Sequence, residues 1–104
     1  MADYLLLYSG GRMPETDAER GQVMKAWDEW FHSLGGALKD GGNPFSGQSK
    51  TIDTDGSVSN GGGSASGYSV ITAESLDEAV GKAKGCPVLQ GGAKIAVYET
   101  FNAM

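Results

Sequence analysis

Apolar residues in this chain fall into short dense runs and into spaced stripes, and the two patterns predict different elements. Tyr4-Leu5-Leu6-Leu7-Tyr8 is a continuous apolar run closed by Ser9-Gly10-Gly11, which suits a central strand covered on both faces. After Pro14, the quartet Thr16-Asp17-Ala18-Glu19 is a capping box, in which the Thr oxygen accepts from the N3 amide and the Glu reaches back to the cap. Val23, Trp27, Trp30, Phe31, Leu34 and Leu38 then recur at steps of three and four, the stripe of an amphipathic helix that Gly41-Gly42 would end. Residues 43–67 are rich in Gly and Ser. Within them Lys50-Thr51-Ile52-Asp53-Thr54 reads as a weak edge strand before an Asp55-Gly56 turn, and residues 59–66 read as a long loop inside one domain.

Regular patterning returns with Tyr68-Ser69-Val70-Ile71-Thr72-Ala73, whose β-branched residues predict a strand. Ser75-Leu76-Asp77-Glu78 is a second capping box, followed by Leu76, Ala79, Val80 and Ala83 at helical spacing, and Gly85 and Pro87 stop that helix near residue 84. Lys94 to Phe101 alternates Ile95, Val97 and Phe101 with Ala96 and Tyr98, the pattern of a last strand. The order β-α-β-β-α-β, with right-handed crossovers, predicts an α+β ferredoxin-like fold: a four-stranded antiparallel sheet with two helices on one face, spanning residues 1–104 as one domain. The other sheet face is left bare while its strands are apolar on both sides. A second copy of the chain is the economical cover, so a homodimer through the sheet is expected.

Composition narrows the partners. Eight Lys plus Arg against thirteen Asp plus Glu give a formal charge of −5 with no basic cluster, which disfavours nucleic acid and anionic lipid. One cysteine makes no internal disulfide, no leader pattern opens the chain, and no apolar run is long enough to cross a membrane, so the expectation is a soluble cytoplasmic protein. Ligand sets with metal spacing are missing, and none of the glycine runs continues as a phosphate-binding loop, so neither metal nor cofactor is expected.

The candidates for chemistry are few. Cys86 follows a helix C-terminus, where the dipole raises a thiol pKa, and packing is the favoured reading over nucleophilic chemistry. His32 lies one step off the apolar stripe of the first helix, which favours a structural role over that of a general base. Trp27, Trp30 and Phe31 are read as core. What remains is a polar and aromatic constellation: Asp3, Tyr4, Tyr8, Tyr68, Tyr98 and Glu99 on or at the ends of strands, with Asn43 and Phe45 in the loop after the first helix. Glu99, Tyr98 and His32 are the catalytic candidates, Glu99 as a base if partly desolvated. Tyr8, Asn43, Phe45 and Tyr68 are the ligand-binding candidates.

Taken together, Trp27-x-x-Trp30-Phe31, Leu34 through Gly42, Gly67-Tyr68, Ser75-Leu76-Asp77-Glu78-Ala79, Gly85-Cys86-Pro87 and Val97-Tyr98-Glu99 resemble the YCII-related, or DGPF-type, domain family over nearly the whole chain. The Asp-Gly-Pro-Phe signature itself is absent, its place being taken by Asn60-Gly61-Gly62-Gly63-Ser64. The resemblance implies a dimeric α+β barrel of ferredoxin-like subunits. It transfers no catalytic His-Asp dyad, because His32 lies too late in the helix. Two functional readings stand: a small-molecule-binding dimer with cofactor-free acid-base chemistry, or a noncatalytic accessory or regulatory protein linked to transcription-related partners, as the resemblance allows.

Overall fold

The computed structural model describes residues 1–12 and 14–103. Strand β1 (Ala2–Gly10) runs between β5 (Ala65–Ala73) and β6 (Ala93–Glu99), antiparallel to both, and the short β2 (Leu38–Asp40) pairs with the far side of β5. The sheet order β2-β5-β1-β6, with helices α1 (Asp17–Leu34) and α2 (Leu76–Ala83) in the two crossovers, is the ferredoxin-like α+β arrangement. A separate hairpin joins β3 (Lys50–Ile52) to β4 (Val58–Asn60).

Both helix starts lie where the capping boxes place them. Thr16 Oγ1 accepts from the Glu19 amide at 3.1 Å, and Ser75 Oγ accepts from the Glu78 amide at 3.1 Å. The reciprocal carboxylates reach one residue further back than the motif predicts, to the amides of Glu15 and Glu74. Pleating in β1 sends Tyr4, Leu6 and Tyr8 toward the helices, where they are buried with Ser69, Ile71 and Ala73 of β5. Trp30 and Leu34 of α1 and Ala79 and Ala83 of α2 close this core, with Trp27, Phe31, Ile95 and Val97 half-buried around it. The Trp30 indole donates to the Lys82 carbonyl at 3.1 Å, tying α1 to α2.

Four expectations need correction. First, α1 stops at Leu34: Gly35 takes a positive φ of 54° and its amide bonds to the Phe31 carbonyl, so Leu38 enters a strand instead of a last helical turn. Second, the edge strand of the sheet is therefore Leu38–Asp40, whereas Lys50–Ile52 pairs only within the hairpin. Third, the expected loop over residues 59–66 shrinks to 61–64, because Ser59 and Asn60 belong to β4 and Ala65 and Ser66 to β5. Fourth, four apolar residues miss the core: Val23 lies in the exposed first half of α1, Leu76 and Val80 are exposed on α2, and Phe101 lies beyond the end of β6. The Asp55-Gly56 turn is present, with the Gly56 amide bonded to the Asp53 carbonyl at 2.9 Å.

Beyond β2 the chain still follows the edge of β5. The Tyr68 amide donates to the Asn43 carbonyl and the Phe45 amide to the Ser66 carbonyl, while Gly42 fits between them at φ 71°. A Cβ on Gly42 would sit 1.7 Å from the Tyr68 carbonyl oxygen, so no other residue fits there without moving backbone. Gly42→Ala is expected to destabilise the fold by about 3 kcal/mol, through positive-φ strain and backbone displacement together. Urea denaturation checks this. A loss below about 0.5 kcal/mol, the range of an innocuous surface change, would show that the edge is not held so tightly.

Candidate functional site

The sheet alternation sorts the candidates into two groups at opposite ends of the strands. At the end where β1 begins and β6 finishes, Tyr4 pairs across the ladder with Glu99, and Leu5 with Tyr98. Tyr4 is buried and its hydroxyl donates to Glu99 Oε1 at 3.1 Å. Burial, reinforced by the hydrogen bond and negative charge of Glu99, raises the Tyr4 pKa, so the phenol stays a neutral donor. Glu99 itself is exposed. On the opposite face at the same end, Lys39 Nζ lies 2.7 Å from Asp3 Oδ2, and the Asp3 carbonyl accepts from both the amide and the hydroxyl of Thr100. Asp3, Tyr4, Lys39, Tyr98 and Glu99 thus make a polar rim at one end of the sheet that is divided between its faces, Tyr4 and Glu99 on the helix side and Asp3, Lys39 and Tyr98 on the open side. This rim holds a carboxylate steadied by a neutral phenol, and an ammonium whose exposed ion pair with Asp3 is weak enough to exchange for a ligand anion.

Lys39 is the member that periodicity hides, since the Leu34–Leu38 step continues the helical stripe and places it on a helix. The Gly35-Gly36 pair was the signal for the strand. His32 lies apart from the rim, exposed near the end of α1.

At the other end stand the ligand-binding candidates, and they divide between the faces. Tyr8 points under the helices into a closed polar string: the Cys86 thiol donates to Tyr8 Oη at 3.6 Å, Tyr8 to Ser69 Oγ at 2.7 Å, and Ser69 to the Gly41 carbonyl at 2.8 Å. Trp27 covers Tyr8 edge-on at 5.9 Å between ring centroids. Every group in the string has its partner, so it serves as a satisfied polar core with no donor left over for a ligand. Tyr8 is thus removed from the bare face where a ligand was expected to meet it. Tyr68 does lie on that face, stacked against Phe45 with centroids 6.0 Å apart, while Asn43 serves through its backbone carbonyl.

The middle of the bare face is apolar, and Thr72, Ser9 and Lys94 lie on the same face toward the strand ends. Leu5, Leu7 and Val70 are half-buried, and Ala96 and Tyr98 are exposed beside them. Among the described residues, no group of His, Cys, Asp and Glu is arranged to hold a metal, and no helix is long and apolar enough to cross a membrane. Two open surface grooves lie away from the polar rim, one of about 520 Å³ at the root of the β3–β4 hairpin and one of about 350 Å³ beside Arg12 and Gly91.

These features define the class as a ferredoxin-like α+β domain with one uncovered sheet face. A solved structure shares this fold: 5-chloro-2-hydroxyhydroquinone dehydrochlorinase from Burkholderia phenoliruptrix, in complex with 2,5-dihydroxybenzoquinone. The match has a TM-score of 0.57 at 19% identity and covers 96% of this chain and 95% of that one. The likeness is one of fold. No protein-family model and no curated protein matches the chain.

The buried string sets an alkaline limit on stability. Burial raises the Tyr8 phenol above its ordinary 10.0, with the Ser69 bond opposing and Cys86 adding, and burial raises the Cys86 thiol above its ordinary 9.0 against the lowering effect of Val88 and Tyr8. The unfolded chain releases these protons first, so the stabilisation is complete below about pH 9 and is lost as pH rises through the folded values. Urea midpoints are expected to fall from about pH 9 upward, less steeply in Cys86→Ala, and the native thiol should react with a disulfide reagent far more slowly than the unfolded one. Equal labelling rates in native and unfolded protein would contradict the closed string.

Proposed function

We propose that the protein works as a homodimer that binds a small hydroxylated molecule at the polar rim and uses Glu99 as a cofactor-free base. Two copies packed through the bare face would cover Leu5, Leu7, Val70, Tyr68, Ala96 and Tyr98. The observation that carries the chemistry is the Tyr4–Glu99 hydrogen bond. Tyr4 occupies one carboxylate oxygen as a donor and leaves the other free to accept a proton from an acidic ligand hydroxyl, while Lys39, on the open face at the same end, gives the rim its positive charge. The full-length fold likeness to an enzyme that holds a dihydroxybenzoquinone supports a ligand of that chemical kind. A Glu–Tyr–Lys set also favours this reading over a noncatalytic accessory role, for which none of these groups would be needed.

Sedimentation at about 100 µM is expected to give twice the chain mass. Ala96→Glu and Tyr98→Asp, both at exposed positions of the single chain, should shift it to monomer without changing the circular dichroism, because facing carboxylates would then be buried across the interface. For the ligand, spectrophotometric titration with 2,5-dihydroxybenzoquinone should saturate. Because this probe is already an anion at neutral pH, Lys39→Met should weaken binding about tenfold, the size of one charge-assisted contact of about 1.4 kcal/mol, and Glu99→Gln, which removes a facing negative charge, should tighten it. Saturable binding indifferent to both substitutions would move the site elsewhere. No binding of any hydroxyquinone would favour the noncatalytic role.

A further inference from the structure

We propose that the β3–β4 hairpin is an arm that clasps the second copy of this chain, an inference that rests on the homodimer argued above. The hairpin is held together from within. Lys50, Thr51 and Ile52 pair with Asn60, Ser59 and Val58, Thr51 Oγ1 donates to the Gly61 carbonyl at 2.6 Å, and the Gly61 amide donates to the Ser49 carbonyl at 2.9 Å. Among the described residues, neither strand packs to any extent on another element, and all six strand residues are exposed. An isolated two-stranded hairpin is marginal in water and needs an apolar surface to lean on.

This hairpin carries such a surface of its own and leaves it uncovered. Ile52 and Val58 face each other across the ladder at the turn end, 72% and 58% exposed. The shape of the chain reflects the same projection, with a radius of gyration of 15.2 Å against about 13 Å for a compact chain of this length.

Area and continuity point to a second copy as the occupant. The chain exposes 7461 Å² of surface, against about 5500 Å² for a compact monomer of its mass. A stable interface takes about 800 Å² from each partner, which this excess supplies when the bare face and the exposed arm are covered together. The arm springs from the rim of that same face: its first strand follows Phe45, which stacks on Tyr68 of the bare face, and its second leads through residues 61–64 into β5. A partner seated on the sheet therefore lies beside the root of the arm, and the Ile52–Val58 pair supplies apolar area just beyond the edge of the sheet contact.

The test is sedimentation equilibrium of the wild type and of the double variant Ile52→Thr with Val58→Thr, which keeps β-branched residues in both strands. The dimer dissociation constant is expected to rise at least tenfold in the variant with the thermal midpoint of the dilute monomer unchanged. Hydrogen exchange of the Thr51 and Ser59 amides in the wild type should slow between concentrations below and above that constant. A wild-type chain that stays monomeric at about 100 µM would overturn both the dimer and the arm. A wild-type dimer whose dissociation constant and arm exchange are indifferent to the substitutions and to concentration would leave the sheet dimer standing and overturn the arm alone.

Discussion

The pleat of β1 is the constraint on which the rest depends. Because β1 is the central strand and pairs on both sides, its two-residue alternation assigns a face to each paired residue of β5 and β6. Tyr4, Leu6 and Tyr8 go to the helices, and Asp3, Leu5 and Leu7 go to the open face. A slip of one residue would send two tyrosines out of the core and bring an aspartate in. The tyrosines hold the register with more than apolar area, since each ends in a hydrogen bond that only one register satisfies: Tyr4 to Glu99 and Tyr8 to Ser69.

This division explains why one end of the sheet is suited to chemistry and the other to packing. At the Tyr8 end, hydroxyl, thiol and carbonyl satisfy one another beneath Trp27, with Tyr8, Ser69 and Cys86 buried. At the Tyr4 end, the buried phenol meets a carboxylate that is itself exposed, so the polar chain opens outward. A buried network that ends on a backbone carbonyl rigidifies a core, whereas one that ends on an exposed carboxylate can pass a proton to something outside. Lys39 belongs to the second end only because α1 stops early enough for β2 to form.

Much of the fold was legible in local pattern because its signals are local. The two capping boxes, the apolar run of β1, the β-branched run of β5 and the α2 stop at Gly85 and Pro87 each act within a few residues, and each element lies close to where its pattern puts it. The failures occurred where two local signals competed. Leu34 and Leu38 continue a helical stripe across Gly35-Gly36, and the glycines prevailed because pairing of Leu38 with Ile71 buries the leucine on the sheet without another helical turn. Lys50–Ile52 has the composition of a strand and is one, yet composition cannot say which partner a strand takes.

The sequence by itself determined the class of architecture and the order of its major elements, since these follow from periodicity and capping, whereas the burial that raises the Cys86 thiol is a product of packing. Tertiary structure alone decided which polar residues meet. Tyr4 and Glu99 are 95 residues apart in the chain and Lys39 and Asp3 are 36 apart, and only the strand order and register bring each pair into hydrogen-bonding distance. The same register turned Tyr8 inward and left Tyr68 and Tyr98 on the open face, although all three looked alike as strand tyrosines. Facing in a sheet is a property of pairing, and pairing is a long-range choice that no short stretch of residues can make alone.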